Sequence, residues 1–407
     1  MKIKMALMAL LITLMTLLST ETKPIKISKK LIIREGPSVL YPIIEIETEQ
    51  LVQIEEKKNG WLKIELENGK VGYLSQRAVN IEKDREVSLS DFEGEAKKIV
   101  SRHAISAGVK GFVSNITETE QSQNVDVDFL QEYKLDPIRL KHYKITSENL
   151  YSIKPISHYE IKGNSGYYNT DGRKLGAKLA ISLINKYPLI KNTEWQRYLN
   201  CLGNYLVENS NAYDMLIKFF IIDHEEPNAF ALPGGYVFIT DTMIKAIENE
   251  SELAAILAHE IGHITCFHWK EEYEKRINQI KADNSFSELD DEVGSFSQEI
   301  ERVDDELENM SFEIYETIIK KRLDMYEKKA DNFAVKCMIN SGYFPESLKK
   351  ILERIISNHT AKGHFSPNRL EQRLSRIEET LDEIGTINGL HYNSSRFELI
   401  EARNKIY

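Results

Sequence analysis

Two histidines four positions apart, His259 and His263, with Glu260 beside the first, are the residues of this sequence best placed to do chemistry. They sit in SELAAILAHEIGHITCFH, residues 251 to 268, an apolar run of helical periodicity for which Ser251 is the expected N-cap. Side chains at i and i+4 leave a helix from the same face, so both imidazoles can reach one zinc ion while Glu260 reaches a water on it. Glu260 would then act as general base. With 10 histidines in 407 residues, chance yields roughly 0.02 such pentads per chain. A helix with two satisfied core histidines is the weaker explanation.

A zinc site that works on water takes a third protein ligand and leaves its fourth position open. The stretch MYEKKADNFAVKCMI offers Glu327, with Asp331 one helical turn later to hold a ligand histidine by hydrogen bonding. Taken alone, Glu327 also reads as a solvated helix carboxylate. Cys266 follows His263 by three positions and could meet a metal, but Cys201, Cys266 and Cys337 are too scattered for a disulfide framework and read as buried apolar residues.

The elements that must position these residues begin near Asp171, where apolar residues recur three and four apart through GRKLGAKLAISLINKYP and TEWQRYLNCLGNYLVEN. Residues 83 to 170 are mixed and polar and suggest no chemistry. Upstream, residues 26 to 82 alternate with period two, and Asn59-Gly60 and Asn68-Gly69 stand where hairpin turns are wanted, so a small all-β barrel is expected over 24–82. Residues 1–22 open with Lys2 and Lys4 before an uncharged apolar run from Met5 to Leu18. That is the pattern of a signal peptide or N-terminal anchor, so the chain is expected to be exported to the periplasm or the extracellular space.

Composition narrows the remaining classes. With 42% apolar and 29% charged residues the chain reads as a folded protein of two or three domains. A net charge of -10 argues against a nucleic-acid surface. The excess is concentrated in residues 271 to 310, which hold fourteen acids and four bases. Within that insertion (271–320), Phe286, Leu289, Val293, Phe296, Ile300, Val303, Leu307, Met310 and Ile314 form a heptad stripe, expected to be a coiled-coil seam. It would pack on the catalytic domain or mediate self-association.

Several motifs together resemble known families. HEIGH followed by His268, the Glu327-Lys328-Lys329-Ala330-Asp331 run, and Asn228-Ala229-Phe230-Ala231-Leu232-Pro233-Gly234-Gly235 look like the zinc metallopeptidases related to the HtpX heat-shock protease and the CAAX prenyl protease. The likeness runs from about Gly172 to Ile384. It implies a mainly α (α+β) zincin domain over 171–390, one Zn2+ per chain on His259, His263 and Glu327, Glu260 as base and Asp331 behind the ligands. It also implies that Asn228, Ala229, Phe230, Gly234 and Gly235 lie along the edge where an extended polypeptide substrate is laid. Relatives carry His-Pro followed by Arg near the oxyanion; the corresponding stretch here, His364 to Arg373, implies His364 with Arg369, or else Arg373, in that role. Residues 24–82 resemble bacterial SH3-type domains through Ile33-Arg34-Glu35-Gly36-Pro37-Ser38, Asn59-Gly60-Trp61 and Gly69-Lys70-Val71-Gly72-Tyr73-Leu74. That likeness implies a binding module for cell-wall peptides or a protein partner. The expectation is a multidomain zinc endopeptidase acting on exported or misfolded proteins. A cell-wall peptidase targeted by the SH3-type module, or a zinc-containing chaperone-like protein, are the alternatives.

Overall fold

The computed structural model describes residues 25–27, 32–44, 50–58, 60–66, 69–75, 125–145, 170–213, 215–266, 324–358, 367–385 and 388–403. The apolar N-terminal run, His268, His364 and the heptad stripe lie outside these residues. The chain divides into two units, Met1–Glu86 and Val87–Tyr407.

The first unit is strand-rich. Strands β1 (Ile25–Ile27), β2 (Ile33–Arg34), β3 (Ile43–Ile44), β4 (Gln50–Lys58), β5 (Trp61–Glu65) and β6 (Val71–Ser75) form one sheet in the order β1-β4-β5-β6-β2-β3. All its pairings are antiparallel, and β4 bulges between Ile54 and Glu56. Gly60 closes the β4–β5 hairpin at φ 77°, a left-handed conformation that a side chain disfavours. Ile33, Leu62, Ile64, Leu66 and Leu74 form its core.

The second unit is mainly helical around a three-stranded sheet. In chain order it holds α1 (Val125–Glu132), α2 (Pro137–Ile145), α3 (Thr170–Lys186), α4 (Thr193–Glu208), β7 (Lys218–Ile222), β8 (Ala229–Leu232) and β9 (Tyr236–Thr240). Then follow α5 (Asp241–Ala246), α6 (Glu250–Thr265), α7 (Asp324–Asn340), α8 (Glu346–Asn358), α9 (Pro367–Ile384) and α10 (Ser394–Arg403). The sheet order is β7-β9-β8, with β7 parallel and β8 antiparallel to the central strand. Phe220, Ile222, Phe230, Leu232 and Phe238 pack on Leu179, Leu183 and Ile184 of α3 and on Val127 and Leu130 of α1. Two helices of the polar 83–170 stretch thus contribute to this unit: α1 to the core and α2 through a buried Lys144–Glu208 ion pair with α4.

The two edges of the sheet differ. Along the outer side of β7, α4 presents amides one helical turn apart: Gln196 Nε2 and Asn200 Nδ2 donate to the Phe219 carbonyl at 2.5 and 2.7 Å. Asn200 Oδ1 accepts from Phe219 N at 3.1 Å, and Asn204 Nδ2 donates to the Ile217 carbonyl at 3.4 Å. Gly203 lets α4 approach, because a Cβ there would fall 2.3 Å from the Phe219 ring. Among the described strands, β8 pairs only with β9 and forms the opposite edge.

Helix α6 is buried at every position from Glu250 to Thr265, as expected of a helix apolar on all sides. Its N-cap is Asn249, whose side chain accepts from Glu252 N at 3.0 Å. Ser251, expected to cap, lies inside the first turn, and its hydroxyl donates to the Phe344 carbonyl. No described helix is long and apolar enough to cross a membrane.

Candidate metal centre

The pentad falls in the last two turns of α6, where His259, Glu260 and His263 are 7%, 5% and 3% exposed. Their ligand atoms all lie within 4.8 Å of one another. The two imidazoles face each other through Nε2 at 3.1 Å. Helix α7 brings in Glu327, whose Oε2 is 3.4 Å from His259 Nε2 and whose Oε1 is 3.4 Å from His263 Nε2.

This approach depends on two small residues. A Cβ on Gly262 would come within 3.1 Å of both Cα and the carbonyl oxygen of Ala330, so the contact is backbone against backbone. Ala330 is one turn beyond Glu327, and the close crossing sets the carboxylate opposite the histidines.

A layer of charge lies behind the ligands. His259 Nδ1 donates to Asp331 Oδ1 at 2.9 Å, which fixes its tautomer and aims Nε2 at His263 and Glu327. Arg373, from α9 and 6% exposed, makes a two-pronged contact to Asp331, Nη2 to Oδ1 at 2.7 Å and Nε to Oδ2 at 3.1 Å. Its Nη1 reaches Glu327 Oε2 at 3.3 Å. Burial pushes the Glu327 carboxyl up, but Arg373 and the two histidines outweigh it and hold the group well below the usual carboxylate range. Burial and Arg373 push the His259 imidazole down, yet Asp331 and Glu327 prevail and raise it to about 9.

The donor set fits a small divalent cation. The two Nε2 atoms stand 3.1 Å apart, and each lies 3.4 Å from a different oxygen of the Glu327 carboxylate. Donors about 2.0–2.1 Å from a tetrahedral zinc stand roughly 3.3 Å apart. A bound cation would take the place of a proton at Nε2 of His259. Among the described residues the group of three metal-capable side chains that converges lies here, at His259, Glu260 and His263. Cys266 is not part of it; it forms the C-cap of α6.

Asn228 adjoins β8: its N donates to Thr240 Oγ1, its carbonyl accepts from Thr240 N, and its Oδ1 accepts from Ala229 N. With Asn228 turned to β9, the two-residue alternation turns the main-chain groups of Phe230 and Leu232 the same way. Those of Ala229 and Ala231 then face the outer edge. Gly234 and Gly235, at φ 75° and 88°, make the β8–β9 turn. Of the two arginines open in the sequence, Arg373 is beside the ligands; Arg369 is in α9 with its side chain outside the described residues.

Residues 194–381 match the sequence profile of Peptidase family M48. They form a Peptidase M48 domain. The M48 domain spans α4 to α9 and contains all the side chains of the cluster. The chain is 42% identical to the beta-barrel assembly-enhancing protease of Yersinia pestis over 81 residues, 20% of this chain and 17% of that protein. With the Escherichia coli K12 protein of the same name it shares 29% over 175 residues, 42% of this chain and 34% of that protein. The mitochondrial metalloendopeptidase OMA1 of Schizosaccharomyces pombe matches at 34% over 71 residues, 17% of this chain and 21% of that protein. The chain therefore spans only about a sixth to a third of the length of these relatives.

Sequence reading missed the Gln196–Asn200–Asn204 ladder and the neighbours of Glu250. The ladder had a signal in its i, i+4, i+8 amides on the face of α4 next to β7. Glu250 had none, since a first-turn glutamate ordinarily complements the helix dipole in solvent.

Proposed function

We propose that this chain is an exported zinc endopeptidase in which His259, His263 and Glu327 hold one zinc and Glu260 is the general base. The observation that carries the reading is the donor set, two imidazoles and the Glu327 carboxylate converging at zinc-sized spacing, with a second carboxylate, Glu260, close by. When bound, zinc polarises the scissile carbonyl and makes water a nucleophile near neutral pH. Glu260 takes the proton of the attacking water and delivers it to the leaving amine. Asp331 keeps His259 in the ligating tautomer, and Arg373 holds Asp331 and Glu327 ionised.

The substrate is a polypeptide laid along β8, the edge that the family resemblance implies. The sealed outer side of β7 supports this choice of edge. Asn228, Phe230, Gly234 and Gly235 fix the strand and its turn. With Arg373 engaged by two carboxylates, oxyanion stabilisation falls to His364 and Arg369. The first unit is a bacterial SH3-type module that binds a wall peptide or a protein, and residues 1–22 direct export. Relatives named for β-barrel assembly support exported, incompletely assembled proteins as the substrate class.

The test is to incubate the full chain with casein and with muropeptides, beside Glu260→Gln. Casein cleavage by the wild type, none by the variant, and one zinc in each is the expected result. Cleavage of muropeptides alone would reassign the substrate, and equal turnover by both proteins would remove Glu260 as the base.

A further inference from the structure

The metal-bearing helices α6 and α7 pack along their length, and two places in that packing bear on the ligands. One is the Gly262–Ala330 crossing beside the ligands. The other lies twelve residues back along α6 and twelve forward along α7, about 18 Å away. There the chain from His391 to Phe397, beyond the residues matched to the M48 profile, joins the two helix ends.

The junction is made by main chain as well as side chains. The Tyr392 carbonyl accepts from Ser251 N at 3.1 Å, satisfying one of the amides that the first turn of α6 leaves open. His391 N donates to the Gly342 carbonyl at 3.0 Å, where the chain leaves α7, and His391 bridges to Tyr343. At the centre is Glu250, fully buried. It accepts from Tyr343 Oη, Asn393 Nδ2 and Tyr198 Oη, each at 2.8 Å. Arg396 Nη1 lies 3.5 Å from the same carboxylate, and its guanidinium stacks on Tyr143 at 4.3 Å. Asn393 adopts φ 51°, a conformation that costs a non-glycine residue and persists where the surroundings impose it. Phe397 anchors the far end against Trp195.

We infer that residues 391–397 are a positioning clamp for the metal site, stapling the start of α6 to the exit of α7 and thereby setting Glu327 against His259 and His263. The Ser251 hydroxyl already links the two helix ends through the Phe344 carbonyl, and residues 391–397 add main-chain and side-chain bonds there that resist a pivot about the Gly262–Ala330 crossing. A pivot at Gly262–Ala330 moves Glu327 relative to the histidines, because they lie on opposite partners of the pair. The inference rests on the zinc-peptidase reading of that site.

The experiment uses the full chain carrying Asn393→Gly together with Arg396→Met, and separately Arg396→Lys. Glycine tolerates φ 51° while losing the bond to Glu250, so the backbone path is kept. Zinc affinity is measured by competition with a chromogenic chelator well below the unfolding temperature, with folding followed by circular dichroism. The double variant should hold zinc on the order of tenfold more weakly, as when the surroundings of ligands are disturbed. It should lose kcat with little change in KM, and Arg396→Lys should stay near wild type. Wild-type zinc affinity with only a lowered melting temperature would overturn the clamp. A wild type that binds no zinc would overturn both the clamp and the reading beneath it.

Discussion

The two ends of α6 are equally buried and differently balanced. At the N-terminal end one carboxylate, Glu250, meets three neutral donors and an arginine, so its acceptor capacity is matched within the fold. At the C-terminal end two ring nitrogens and the Glu327 carboxylate crowd together, all of them able to act as electron-pair donors, with Arg373 3.3 Å from that carboxylate. Burial alone does not distinguish a structural charge from a working one. What distinguishes them is the donor set: at one end donors converge on a single carboxylate, at the other ring nitrogens and a carboxylate converge on one another.

Substituting at each end should separate the two kinds of site. The largest effect is expected from His263→Ala, which removes one member of the donor set. Zinc should be lost on dialysis and peptidase activity with it, while far-UV circular dichroism stays close to wild type. Collapse of the helical signal would mean that both ends of α6 are structural. Next in size, Glu250→Ala removes the acceptor for three donors and strands Arg396 in the interior. A loss of about 3–5 kcal/mol in urea unfolding is expected, as when a buried ion pair is broken from one side. A stability within error of wild type would erase the contrast.

The smallest effect concerns pH. Burial, then the charge of Arg396, lower the His391 imidazole from its ordinary 6.5 to about 4. The unfolded chain therefore takes up this proton first. The contribution is fully present above about 6.5, is lost as the pH falls through the interval to about 4, and changes little below that. His391→Phe should flatten the dependence of stability on pH between 4 and 6.5 relative to wild type; parallel curves would show that this histidine stays out of the balance.

The local features were largely legible from the residues. The pentad, the Glu327–Asp331 spacing and the period-two strands each depend on a repeat that backbone geometry imposes over a few positions. The pairing of Asp331 with His259 was readable for the same reason. Long-range partners were not. Nothing near Glu250 announces Tyr343 or Asn393, which lie 93 and 143 positions away, and nothing around Lys144 announces Glu208. The contact of Arg373 with Asp331 and Glu327 also needed three dimensions, because α9 reaches the ligands by packing beside α7.

Gly262 has a consequence for which ions the protein accepts. The fourth letter of HEIGH is usually treated as a spacer, yet here it is the jaw of a calliper, closed until main chain meets main chain. The opening between Glu327 and the histidines is gauged by that contact. An ion with the longer bonds of calcium, about 2.3–2.6 Å, would have to prise the helices apart, whereas one of zinc's radius fits the gap as it stands. The spacing of the donors is in this way set by a residue with no side chain.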